Sequence, residues 1–217
     1  MLAAVGSRLE NCRFENAQIQ DASFGAGREM SEYIECSFDG VRFDHGSGLA
    51  RFVRCSFKNI DFRNWLCFGT EMIDCLFTGR MEGCIFNGTV MKGYQLFLGR
   101  ERNEFYGNDF SGMAFMDVTF RTGIDLTKQR LPLDPGYLYL PDAPAALARA
   151  KSAAHEWSDS ELRRQVLLFL ESFEFELEGG QRQLLLRADL QTAYPRETTD
   201  KAFALLRGKG AALIYDQ

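Results

Sequence analysis

Residues 103–120 read NEFYGNDFSGMAFMDVTF, with Phe105, Phe110, Phe115 and Phe120 recurring every five positions. Five residues overshoot one helical turn by about 140°, and an odd step on a strand reverses the side chain's face. Four large apolar residues so spaced share one core only if the backbone turns a corner about every five residues. That is a solenoid coil with four short sides.

Working outward, steps of 19 or 20 residues back from Phe110 reach Met91, Met72, Phe52, Tyr33 and Phe14. Steps back from Phe115 reach Leu96, Phe77, Phe57, Phe38 and Ile19. A third series is Phe24, Phe43, Phe62 and Met81, broken near Arg100–Glu101 and resumed at Phe120. The fourth is Glu29, Gly48, Cys67, Phe86, Phe105 and Ile124. Four series of six members predict six coils, and the slots take 13 of the 15 phenylalanines before residue 121.

Positions two before the large residues also point inward, because extended chain alternates faces. On the second side these are Ala17, Cys36, Cys55, Cys75, Tyr94 and Met113; on the first, Cys12, Ser31, Ala50, Thr70, Thr89 and Asn108.

The units Asn11–Phe14, Glu35–Phe38, Arg54–Phe57 and Gly83–Phe86 each place cysteine two before a phenylalanine. Over residues 11–126 the chain resembles the pentapeptide-repeat family. The resemblance implies a right-handed quadrilateral β-helix, here with 19 rather than 20 residues per coil. The fourth side fails in coils one and two, where glycine-rich stretches 25–30 and 44–49 are expected to stack as loops on one edge.

Residues 131–142 hold prolines that end strand pairing and predict an extended strap against the last coil. Residues 143–217 predict a mainly helical module: a helix over 145–157 opened by Pro144, a second over 161–176 capped within Ser158–Glu161, and a last one from Pro195 to Arg207. The leucine- and arginine-rich run 183–190 reads as helix, and 211–215 as a short strand. The domain plan is thus a β-helix over 1–130, a strap over 131–142 and a capping or interaction module over 143–217.

Composition narrows function. Net charge is −5 and no apolar run of eighteen residues occurs, so neither nucleic-acid phosphates nor a membrane is an expected partner. The start lacks a signal-peptide pattern, which predicts a cytoplasmic protein. The six cysteines lack CxxC pairs, and the two histidines, His45 and His155, lack convergent partners, so no catalytic, cofactor or metal residues are assigned. An enzyme site drawing on Asp44, His45 or His155 is the least favoured reading.

Outward positions Arg13, Glu15, Glu32, Glu35, Arg51, Arg54, Glu71, Asp74, Lys92 and Asp109 alternate in sign, which suits cross-coil ion pairs. The expectation is a non-enzymatic bacterial interaction scaffold with a protein partner, such as an immunity or antitoxin-like protein. Dimerisation would use the rod end or the C-terminal module. The alternative, implied by the family resemblance, is a DNA mimic that modulates gyrase.

Overall fold

The structure is a computed structural model that describes all residues except 133, 188–193 and 209–217. Two compact units divide it, Met1–Pro132 and Leu133–Gln217.

The first unit is a β-solenoid of three parallel sheets. One has five strands: Arg8–Glu10, Ser31–Ile34, Ala50–Val53, Glu71–Ile73 and Phe105–Tyr106. A six-stranded sheet runs from Leu2–Ala3 to Asp109–Met116, and a three-stranded sheet joins Leu66–Cys67, Ile85–Asn87 and Thr119–Arg121. Three sheets make four sides because the longest strands turn a corner internally. Strand Ser56–Arg63 buries both Phe57 and Phe62, five apart, with Asn59 between them at φ 54°. One coil on, Gly79 adopts φ 112° where the register shifts.

The fold class is as expected, but the register is not. Tyr33 pairs with Leu9, not Phe14. The column then runs through Phe52 and Met72 to Phe105, not to Met91 and Phe110. Phe14 instead stacks on Phe38, at 4.9 Å between ring centroids. That stack continues through Phe57, Phe77 and Phe110 at 4.9, 4.7 and 4.7 Å, the spacing of hydrogen-bonded strands. The third column is Ile19, Phe43, Phe62, Met81 and Phe115, and Cys67, Phe86 and Phe120 share the fourth side. Steps of 19–20 hold only in the middle coils, between a five-residue slip and an insertion. The chain therefore completes about four turns between Leu9 and Phe105, fewer than the six coils expected. Every side of such a coil carries the same pattern, so a slip of one side leaves the periodicity intact.

The first corner explains how tight turns are held. Asn11, Glu35, Arg54, Asp74 and Gly107 all have φ between 51° and 70°. Left-handed backbone is unfavourable for Glu and Arg. Each amide there donates to the next coil, to Ile34, Val53, Ile73, Tyr106 and Lys128 carbonyls at 2.8–3.0 Å. The stacked layers impose a conformation the residues do not prefer.

One inward column is polar in a regular way. The thiols of Cys36, Cys55 and Cys75 donate to the carbonyls of Leu9, Tyr33 and Phe52 in the preceding coil. Asn108 Nδ2 then donates to Met72 O, and Gln129 Nε2 to Phe105 O. Asn108 thus belongs to the cysteine column, not to the first side's inner positions, and Tyr94 is not in that column at all. Asn108 Oδ1 also accepts from Cys75 N, and Asn108 Nδ2 donates to Gln129 Oε1, closing the column with side-chain amides.

In the second unit, Tyr137–Leu140, within the expected strap, is a strand antiparallel to Leu184–Arg187. The latter was expected as helix; the pairing wins, with Leu184 and Leu186 buried at a period of two. Helices follow the sequence closely. After α1, an insertion in the solenoid at Lys92–Leu98, come α2 (Ala143–His155), α3 (Ser160–Ser172) and α4 (Arg196–Arg207). Asp142 and Asp159 cap α2 and α3 through their carboxylates. A 3₁₀ segment, Glu174–Gly180, replaces the last turn expected of α3. Alanines 143, 146, 150 and 154 line the buried face of α2 against Phe169, Leu170, Phe203 and Leu206. The strand expected at 211–215 lies outside the described residues. No described helix is long and apolar enough to cross a membrane.

Candidate interaction edge

Irregular segments collect on one edge of the solenoid, between its fourth and first sides. The two glycine-rich stretches do stack there. Leu49 N donates to Gly25 O at 2.9 Å, and Ser31 N to Leu49 O at 2.9 Å. The contact needs glycine: a Cβ on Gly25 would sit 1.8 Å from Leu49 O, and one on Gly48 would sit 2.4 Å from Gly25 N. These stretches do not replace the fourth side in coil one, because Phe24 fills it at 1% exposure. In coil two Gly46 pairs with Trp65. Trp65 is fully buried against Phe24, Phe43, Phe52 and Phe62, and no periodic series contained it.

The same edge carries α1. Met91 and Leu96, expected to be core, are here 45% and 88% exposed, and Phe97 is 43% exposed. The helix buries none of its residues and ends at Gly99, φ 62°, whose amide returns to Gln95 O. Leu98 and Leu49 close over Gly69, and the Arg28 guanidinium lies 4.8 Å from the Phe97 ring centroid.

Just after α1 in the chain, Arg100 joins an ion cluster centred on a buried carboxylate. Glu71, expected to face outward, is 1% exposed. Its carboxylate meets Arg51 at 2.6 Å and Arg100 at 3.1 Å, and accepts from Glu104 N at 3.1 Å. Arg51 also reaches Glu104 at 2.7 Å. Arg100 spans the edge, donating to Gly69 O and Asn103 Oδ1. Burial lowers the Arg100 pKa and Glu71 opposes that shift. Burial acts the same way on Arg51, but Glu71 and Glu104 together raise it. Both guanidiniums stay charged, so the cluster fastens α1's C-terminal flank to the coil.

Other polar groups offer less chemistry. His45 Nδ1 lies 3.6 Å from Asp21 Oδ1, both well exposed, and His155 is exposed at the end of α2. A shallow groove of about 360 Å³ runs over coils one to three, lined by Arg13, Glu15, Glu35, Asp39 and Lys58 among others. Its acceptors are already engaged: Asp39 with Ser56 and Lys58 N, Glu15 with Ser37. All six cysteines are free, and burial pushes the thiols of Cys36 and Cys84 up to about 11 and about 12. Among the described residues, no group of three or more His, Cys, Asp or Glu could hold a metal ion. The expected cross-coil ion pairs are present as Arg8–Glu32, Arg51–Glu71, Arg54–Glu35 and Arg130–Asp109.

No protein-family model matches the chain, and no curated protein matches it. The edge's helical insertion was hidden from periodicity because Met91 and Leu96 happen to fall on the nineteen-residue grid. Gly93 and Gly99 flanking a polar–apolar mix were the signal that could have revealed it.

Proposed function

We propose that the chain is a pentapeptide-repeat protein acting as a non-enzymatic interaction scaffold, whose α1 edge docks on and occludes a protein partner in the manner of an immunity protein. The observation that supports this most directly is the exposure of Leu96, Phe97 and Met91 on a helix that buries nothing of its own. Apolar residues displayed together on a rigid, ion-paired base are what a binding surface requires and a core does not. The mixed-sign ladder on the neighbouring faces speaks against the DNA-mimic reading, because paired opposite charges cancel at range.

The test uses the product of the gene adjacent to this one, co-expressed with it. A complex should form, protect the cell, and be lost when Leu96→Asp and Phe97→Ser are combined, with the melting curve unchanged. A complex indifferent to both substitutions would remove α1 as the docking element. In a gyrase supercoiling assay the protein should have no effect.

A further inference from the structure

Within α1, Tyr94, Gln95 and Leu98 are half-buried, whereas Lys92, Gly93, Leu96 and Phe97 are exposed. On a helical wheel the exposed four span an arc of about 140°. Lys92 and Phe97 mark its borders, and Leu96 and Gly93 lie between them. The fold does not require glycine at 93. The residue has ordinary helical backbone, and a Cβ placed there would meet nothing within 4 Å. Glycine weakens a helix relative to alanine, so a side chain at this position would favour α1. Leu96 and Phe97, three and four residues on, lean back toward the same turn. The glycine therefore leaves a gap beside two exposed apolar side chains.

Two cations border that arc without a counter-charge. Elsewhere on the edge carboxylates answer the arginines: Arg51 and Arg100 meet Glu71, and Arg51 meets Glu104. Arg28 and Lys92 form no ion pair among the described residues. Glu29 folds its carboxylate over Gly6 instead, and Glu101 pairs with neither cation. Arg28 is nonetheless held in place, because its guanidinium lies over the Phe97 ring, 4.8 Å from the centroid. A stacked guanidinium keeps its N–H fork free in its own plane, where a carboxylate can accept two parallel bonds.

We propose that the segment received by α1 is acidic and apolar. One large apolar side chain of the partner protein enters the gap over Gly93, and carboxylates beside it meet Arg28 and Lys92. This rests on the reading of α1 as a docking edge and names the chemistry of what docks there. A second copy of α1 does not meet the requirement, since residues 91–99 contain Lys92 and no acid.

The full 217-residue protein, immobilised, is used to select from a phage library of random peptides, with Leu96→Asp as the counter-selection. Peptides retained by the parent alone should combine Leu, Phe or Trp with an excess of Asp and Glu. By fluorescence anisotropy their binding should weaken about tenfold or more in Arg28→Glu and in Gly93→Leu, and fall with added salt. Gly93→Leu should melt no lower than the parent by circular dichroism, so its loss of binding reports the filled gap. Basic or uncharged peptides that still depend on Leu96 would overturn the acidic assignment and leave α1 as the docking edge. Acidic peptides indifferent to Arg28→Glu or to Gly93→Leu would overturn it as well. If no peptide distinguishes the parent from Leu96→Asp, the docking edge itself falls, and this inference with it.

Discussion

At the scale of single residues, the solenoid is held by columns rather than by a diffuse core. Phe57 is fully buried, with ring neighbours 4.9 and 4.7 Å above and below. Neither neighbour can collapse towards the gap without dragging its own hydrogen-bonded coil. Phe57→Ala should therefore destabilise the protein by about 3–5 kcal/mol, read from chemical denaturation. Trp65 should behave differently. Its indole N–H is buried without an acceptor, so Trp65→Phe removes an orphan donor along with some ring volume. The two effects oppose, and the net change should stay within about 1.5 kcal/mol. Thiol chemistry offers a third check. Burial pushes Cys67 and Cys75 well above the usual thiol range, as it does Cys36 and Cys84. With a thiol-specific reagent, Cys12 alone should react before unfolding, since the other five are buried. Prompt labelling of Cys36 or Cys75 would contradict the column.

At the scale of elements, the insertion that carries α1 is separable from the coil that bears it. Deleting 91–99 shortens the Met72–Phe105 step to the one already found between Leu9 and Tyr33, and keeps Arg100 on Glu71. The variant should melt within a few degrees of the parent while losing the partner complex. Elements also show why some of the molecule was legible and some was not. Phe105, Phe110, Phe115 and Phe120 announce four sides directly, since nothing but a cornered coil reconciles that spacing with one core. Which side stacks on which is a different question. Phe14 suits Tyr33 as well as Phe38 by type, and only backbone pairing decides. Glu71 looked external because it is charged, yet Arg51 and Arg100 satisfy it. Leu184–Arg187 looked helical by composition, and the edge of Tyr137–Leu140 overrode that preference. The interaction edge was the least legible, because exposure of Leu96 depends on an insertion whose residues imitate the repeat.

At the scale of the whole molecule, the chain divides into two compact units, each described by its own contacts. The second unit's apolar cluster draws on Leu138 through Leu206. The solenoid's polar column ends within its own unit: Gln129 bonds to Phe105 and Asn108, Arg130 N donates to Asn108 O, and Phe110 N to Arg130 O. Ile124 and Leu126, at 4% and 1% exposure, add further apolar cover from the same stretch. A solenoid exposes its edge strands at both ends, and stability in such arrays is a sum of neighbour contacts plus caps. If 124–130 is the cap of the distal end, removing everything after Pro132 takes away a separate fold rather than a lid. Residues 1–132 alone should then give a β-type circular dichroism spectrum, melt cooperatively, and keep Cys36, Cys55 and Cys75 protected from labelling. Rapid reaction of those thiols in the truncated chain would place the cap after Pro132 instead, and make the helical unit part of what holds the coils together.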